Sequence, residues 1–276
     1  MDSAAPKRVA QEAEQNTPFR ALARAGYAAN GLVHILIGAI ALVVAFGGDG
    51  VTDQSGALMA IAGVPLGFIL LWVVAITLWA LGVWQVLDGI LMRASSDDAA
   101  GIAGKWGRRV GAWGQAAIFV ALGLIAASVA LGARVDTEEA TENASHGLLS
   151  IPGGPIVLFL VGVGIGIGGI VFIVMGARRS FRNKIDIPEH GIGRSIAGLG
   201  TVGFVAKGVA LVIVGVLLVI ASLSSDADAA GGLDGALRAL LALAFGPALV
   251  GVVGAGFIAY GLFCLFRAKF ARLRPE

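Results

Sequence analysis

Apolar and polar residues are sorted into long alternating blocks along this chain. Six apolar runs lie at roughly 25–46, 64–87, 110–133, 155–177, 196–223 and 246–266. Each matches the roughly 20 residues that a helix needs to cross a bilayer. A helix satisfies its own backbone polar groups in hydrocarbon, so the pattern predicts an all-α integral membrane protein with six transmembrane helices. The first run is too long for a secretory signal, and no processing site interrupts it. The polar residues 1–24 ahead of it predict a disordered tail.

The runs come in pairs. "RAGYAANGLVHILIG" (24–38), "RVGAWGQAAIFVALG" (109–123) and "TVGFVAKGVALVIVG" (201–215) share a skeleton of two glycines twelve residues apart: Gly26/Gly38, Gly111/Gly123 and Gly203/Gly215. Twelve residues exceed three helical turns, so each glycine pair is expected on nearly one stripe, where it would pack helices. A short apolar stretch follows each: "SGALMAIAGVP", "HGLLSIPGGP" or "LDGALRALLALAFGP". It closes at Pro65, Pro155 or Pro247, where proline suits the first turn of a second span. The chain thus divides into three tandem two-helix units, 25–93, 109–182 and 194–270. Two spans per unit give all three the same orientation, which places them around a pseudo-threefold axis along the membrane normal. The stretches 56–63, 146–153 and 235–245 are too short to cross and are expected on the outer surface. Small residues at three- and four-residue spacings in "GVGIGIGG" (162–169) and "GVVGAGFIAYG" (251–261) let helix backbones approach closely.

Charge placement sets the orientation. The tail and the segments after the second, fourth and sixth runs hold 17 of the 20 Lys and Arg residues. The three intervening segments hold only Arg134 and Arg238, against nine acids. The positive-inside rule puts both termini in the cytoplasm. A composition 57% hydrophobic and only 14% charged is far from the soluble average, and the six spans exclude soluble, secreted and nucleic-acid-binding readings. The basic face is suited to anionic lipid headgroups. Cys264 is the single cysteine, so no internal disulfide forms.

The sequence resembles the bacterial, mainly actinobacterial, membrane proteins built from three copies of a two-helix domain of unknown function. The likeness rests on "ARAGYAANGLVHILIG", its two degenerate echoes, and the Gly56-Ala57-Leu58 and Gly235-Ala236-Leu237 triplets, and it covers roughly residues 19–272. It implies the three-repeat fold and no known activity. It also implies a basic residue before the second small residue of the odd-numbered spans. Lys207 keeps that residue, whereas Asn30 and Gln115 depart from it.

Lys207 stands inside the apolar run "FVAKGVALVIVG". It lies four residues after Gly203, as Gln115 does after Gly111 and Asn30 after Gly26. Each repeat therefore puts a polar side chain at one point, which predicts a polar layer in the cytoplasmic half of the membrane. An intramembrane lysine costs about 2.5–3.5 kcal/mol on the insertion scale. Three readings answer that cost: snorkelling to the headgroups, pairing with Asp88 inside the bundle, or lining a ligand or ion pathway. Asp88 ends the second span where the other repeats offer Arg179 and Arg267.

The remaining motifs carry little chemistry. Gly164-x-Gly166-x-x-Gly169 has the spelling of a dinucleotide fingerprint but sits inside a span with no preceding strand, so it reads as packing. His34 reads as a buried histidine bonded to a neighbour, ahead of a ligand or proton relay. His146 and His190 fall on opposite sides, and no metal-ligand spacing exists. Trp84, Trp106 and Trp113 suit an interfacial belt, while Trp72 and Trp79 read as packing or lipid-facing. The Asn143-Ala144-Ser145 sequon matters only in a host that glycosylates. With no nucleophile–base pair, carboxylate dyad or phosphate loop, the sequence reads as a non-enzyme without cofactor or metal. Its role is structural, lipid-associated or partner-binding. The alternative is a small-anion or polar-solute transporter with Asn30, Gln115 and Lys207 as its selectivity layer.

The orientation is testable by fusion. Alkaline phosphatase joined after Gly50, Thr141 or Asp228 should be active, and joined after Ala99 inactive; activity at Ala99 would reverse the topology.

Overall fold

A computed structural model describes residues 17–91, 99–184 and 192–270 of the chain. Of the expected disordered tail, residues 1–16 lie outside the described residues, as does His190, while 17–24 are instead helical and begin the first span. Six long helices are apolar enough to cross a membrane. They are α1 (Thr17–Ala45), α3 (Gly67–Leu91), α4 (Ala99–Ala130), α6 (Gly154–Ala177), α7 (Ile192–Ser224) and α9 (Gly246–Phe270). Three short helices, α2 (Gln54–Ala62), α5 (Thr137–Leu149) and α8 (Leu233–Leu241), sit between the two spans of each unit. No strand occurs among the described residues.

Each odd-numbered span stops in the same way. Gly47, Gly132 and Ser225 take a left-handed conformation just past α1, α4 and α7. The next amide then bonds back to the carbonyl five residues before it, Gly48 to Val43, Ala133 to Ser128 and Asp226 to Ala221, at 2.9, 3.0 and 3.1 Å. This closes the orphan carbonyls of the helix end. Each even-numbered span also starts alike. Gly67, Gly154 and Gly246 bond to carbonyls three residues back, and a Cβ there would collide with the carbonyl of Ile61, Leu148 or Leu241. The shared joint is therefore a glycine. Pro155 and Pro247 do occupy the first turn, but Pro65 lies two residues ahead of α3 and outside it.

Counting from these joints corrects two sequence expectations. α5 begins at Thr137, well ahead of the expected residue 146, and the count sets Asn143 level with Gly56 and Gly235. Its early start has a local cause: Asp136 accepts from the Glu138 and Glu139 amides, and acids fill the positive first turn. The same count sets Asp88 level with Arg267 and Met175, rather than with Arg179.

Packing between units is cyclic. Gly82 of α3 meets Ala116 and Val120 of α4; Gly169 of α6 meets Gly208 and Val212 of α7; Gly261 of α9 meets Gly31 and Ile35 of α1. The three contacts fall at one register, so the even-numbered span of each unit packs on the odd-numbered span of the next, and the third unit on the first. One level further, Gly162 meets Gly215 and Val219, and Gly254 meets Gly38 and Leu42. Within units, α1 packs on α3 and α7 on α9, whereas among the described residues no comparable packing joins α4 and α6. The spans form a ring in chain order with one open seam, between α4 and α6.

The paired glycines of the odd-numbered spans need correction against this packing. Four of the six pack on neighbouring backbone: Gly26 on Thr77, Gly38 on Gly254, Gly203 on Tyr260 and Gly215 on Gly162. Gly123 and Gly111 depart from that expectation. Gly123 is buried, but what covers it is the indole of Trp79, which stands where the other units place Gly166 and Ile258. At that level the ring, rather than a neighbouring backbone, fills the space over Gly123. Gly111 meets no described atom within 4 Å. The shared stripe also fails, because twelve residues make three turns and a third and turn the pair about 120° apart. Gly26 accordingly faces α3 while Gly38 faces α9.

Register predicts which glycines carry stability. Gly169→Leu puts a side chain into the Gly208 carbonyl and should lower stability by about 1–3 kcal/mol. Gly198→Leu, whose site has no neighbour within 4 Å, should change it by no more than about 0.5 kcal/mol. Melting curves in detergent decide; equal losses would refute the assigned register.

Candidate functional site

The polar layer lies one residue before the shared contact in every odd-numbered span: Asn30 before Gly31, Gln115 before Ala116, Lys207 before Gly208. Their depths are thus alike, but they do not meet on the axis. Each turns sideways to the even-numbered span of the preceding unit. Gln85 Nε2 donates to Gln115 Oε1. Asn30 Nδ2 donates to Cys264 Sγ at 3.5 Å. Lys207 Nζ stands 5.5 Å from the Phe172 ring centre. Gln85, Phe172 and Cys264 occupy one register counted from the glycine joints, so these three pairs are a single contact written with different residues.

Lys207 has further partners. Its amine is 3.1 Å from His34 Nε2 and 4.5 Å from the centre of the Tyr260 ring. His34 Nδ1 lies 2.8 Å from the Asn30 carbonyl, which can only accept, so Nδ1 carries a proton and Nε2 offers its lone pair to the ammonium. Two ring faces add cation–π attraction. Tyr260 belongs to a packed aromatic group with Phe181, Phe204 and Phe263. The sequence alternatives thus meet a structure in which the amine's hydrogen-bond partner is His34. Asp88 instead acts electrostatically on Tyr27 and Arg267, and Arg267 donates to the Tyr27 hydroxyl at 3.1 Å.

His34 is 3% exposed and bonded, as a buried histidine should be. Trp84 departs from the belt expectation, because it is buried at 5% exposure; Trp106, at 51%, is open. Trp79 packs, covering Gly123 and donating its indole N–H to the Val120 carbonyl on α4 at 3.2 Å. Arg109 reaches from α4 to the end of α3 and donates to the carbonyls of Gly89 and Ile90, capping the negative end of that helix.

A second polar cluster, at the opposite end of the bundle, escaped the sequence reading. There all three units meet. The Asp234 carboxylate of α8 accepts from the Thr52 amide (2.7 Å) and hydroxyl (2.5 Å), and pairs with Arg238 at 2.5 Å. Asp53 caps α2 by accepting from the Gly56 amide and also takes the Thr137 hydroxyl of α5. Glu138 bonds to Asp234. Burial, then the hydrogen bond and charge of Asp234, push the Glu138 carboxyl up to about 7, against the pull of Arg238. Burial opposes ionisation of Asp234, yet bonds from Thr52, Arg238 and Glu138 outweigh it and hold that carboxyl below its usual range. The signal in the sequence was Asp53 three residues ahead of Gly56, and Asp234 directly ahead of Gly235.

Among the described residues no three His, Cys, Asp or Glu side chains group as metal ligands. Six apolar spans in three like units define a multi-pass helical membrane protein built by internal repetition. The family described as Domain of Unknown Function (DUF1206) matches at 25–91, 110–179 and 202–271, and the chain belongs to it. Over 258 residues it is 26% identical to "Uncharacterized protein YxxB" of Bacillus subtilis (strain 168), covering 92% of this chain and 91% of the relative. No solved structure matches.

Two measurements follow from these clusters. Glu138 has a raised carboxyl, so its share of stability is complete below about 4.5 and is lost as pH rises through about 7. Asp234, shifted down, adds the reverse loss on acidification below its ordinary 3.8. The melting temperature should therefore fall between pH 4.5 and 7. Glu138→Gln, which donates to Asp234 at every pH, should flatten that fall. At the layer, Lys207→Met and His34→Leu should couple in a double-mutant cycle by about 0.5–3 kcal/mol. Strict additivity would show that the contact carries no energy.

Proposed function

We propose that the protein is a non-catalytic protein of the bacterial plasma membrane that associates with lipid at the open seam of its ring, with its basic end toward the cytoplasm. The seam carries this reading. A ring closed at five of its six contacts opens at α4 and α6 onto the bilayer, between apolar walls that include Ile118 and Val171, whose counterparts Val33, Ala210, Trp84 and Phe263 in the other units are buried. The polar layer supports it too: Asn30 and Gln115 pair laterally with Cys264 and Gln85, and Lys207 is taken up by His34. The basic end supplies attraction for anionic headgroups, worth roughly 1 kcal/mol per residue near the surface.

Partial exposure of Lys207 favours a second reading, passage of a small anion past the layer. Reconstituted vesicles separate the two. The lipid reading expects anionic lipid retained in native mass spectra and halide or phosphate flux no faster than in protein-free vesicles. Anion flux that Lys207→Met abolishes would establish the transporter reading instead.

A further inference from the structure

The seam holds the parts of a contact that is made elsewhere in the molecule. In the first unit, Gly26 of α1 seats against Thr77 and Leu81 of α3. In the third, Gly203 of α7 seats against Tyr260 of α9, and Gly256 against Val202 and Ala206. Carried to the second unit by the glycine joints and the shared register, these positions become Gly111 and Gly114 on α4, and Gly164 and Gly168 on α6. All four are glycines, and none meets a described atom within 4 Å. On α6, Gly162, Gly169 and Gly176 face α7, so Gly164 and Gly168 project from the other side of the helix. On α4, Ala116 and Val120 face α3, and Gly111 and Gly114 point away from them. The two open glycine faces thus lie where their counterparts in the closed units touch.

Connectivity decides where movement is free. At the end carrying the acidic cluster, α4 and α6 are joined through α5, and Thr137 and Glu138 tie α5 to Asp53 and Asp234 of the other units. At the basic end the two helices belong to different connections: α4 follows α3, and α6 leads to α7. The clasp therefore ties the two helices at one end of the seam, while at the basic end no connection of the chain joins α4 directly to α6. We propose that the seam is a lateral gate, hinged at the clasp, which closes when α4 and α6 swing together at the basic end and seat Gly111 and Gly114 against Gly164 and Gly168. Closure repeats the contact of units one and three, completes the ring, and seals the Lys207 side of the layer from lipid.

Double electron–electron resonance in lipid nanodiscs tests this on the full chain with Cys264→Ser. Spin labels at Trp106→Cys and Arg178→Cys report the basic end of the seam. Labels at the equivalent positions of the first unit, Ala21→Cys and Leu91→Cys, give the distance of a closed pair. The seam labels should show two populations, the shorter matching the first-unit pair. Gly111→Leu with Gly168→Leu, or Gly114→Leu alone as a second blocker, should remove the shorter population and leave the melting temperature intact, since those glycines touch nothing when the seam is open. A single long distance in both thin and thick bilayers would overturn the gate. So would a short population that survives both blocking variants. The outcome is independent of whether lipid is retained or anions flow.

Discussion

In lipid, apolar helices gain nothing from hiding apolar surface, and what holds them together is how near their backbones can come. That constraint organises this bundle. Gly82, Gly169 and Gly261 each let an even-numbered span settle on the odd-numbered span of the following unit, so that helix meets helix at backbone distance. A side chain at these points would separate the pair and forfeit dispersion contacts along its length. The short connecting helices, the capped span ends and the polar layer all inherit their positions from that register.

The layer shows how one geometry accepts different chemistry. Its three pairs are amide on amide, amide on thiol, and ammonium on ring. Only the last places a charge in the membrane, and it is the one with extra support: a histidine lone pair and a second aromatic face. The lysine is stabilised locally, by its own unit and by α1 across the ring. The other two repeats place neutral groups there, which do not carry the desolvation cost of an ion.

The six spans were legible in the chain because twenty-residue apolar runs and polarised charge need no tertiary information. The repeat was legible because Gly26, Gly111 and Gly203 recur with their partners at constant spacing. What stayed hidden depended on rotation about a helix axis. Gly111 and Gly123 keep the spacing of their counterparts, yet one is bare and the other lies under an indole. Asn30, Gln115 and Lys207 could be placed at one depth, but their lateral pairing with Cys264, Gln85 and Phe172 required knowing which unit each even-numbered span leans on. Pro65 misled because proline in a turn and proline in a first helical turn look alike in sequence. The Asp53–Thr137 and Thr52–Asp234 contacts link residues 84 and 182 positions apart, beyond any local pattern. The open seam was hidden because Gly111, Gly114, Gly164 and Gly168 look like packing glycines, and only the register shows that the closed pairs hold Thr77, Leu81 or Tyr260 opposite them.

The cyclic register also bears on ancestry. Each unit carries both faces of the contact: a donor face on its even-numbered span and an acceptor face on its odd-numbered span. Such a head-to-tail surface closes into a ring when the rotation per copy divides the circle. Here the third copy returns to the first, since Gly261 meets Gly31 as Gly82 meets Ala116. One two-helix unit made as a separate chain would hold everything needed to assemble as a homotrimer. Fusing three such genes would free each copy to drift, and Lys207, Gln115 and Asn30 are three diverged forms of what a symmetric trimer must keep identical.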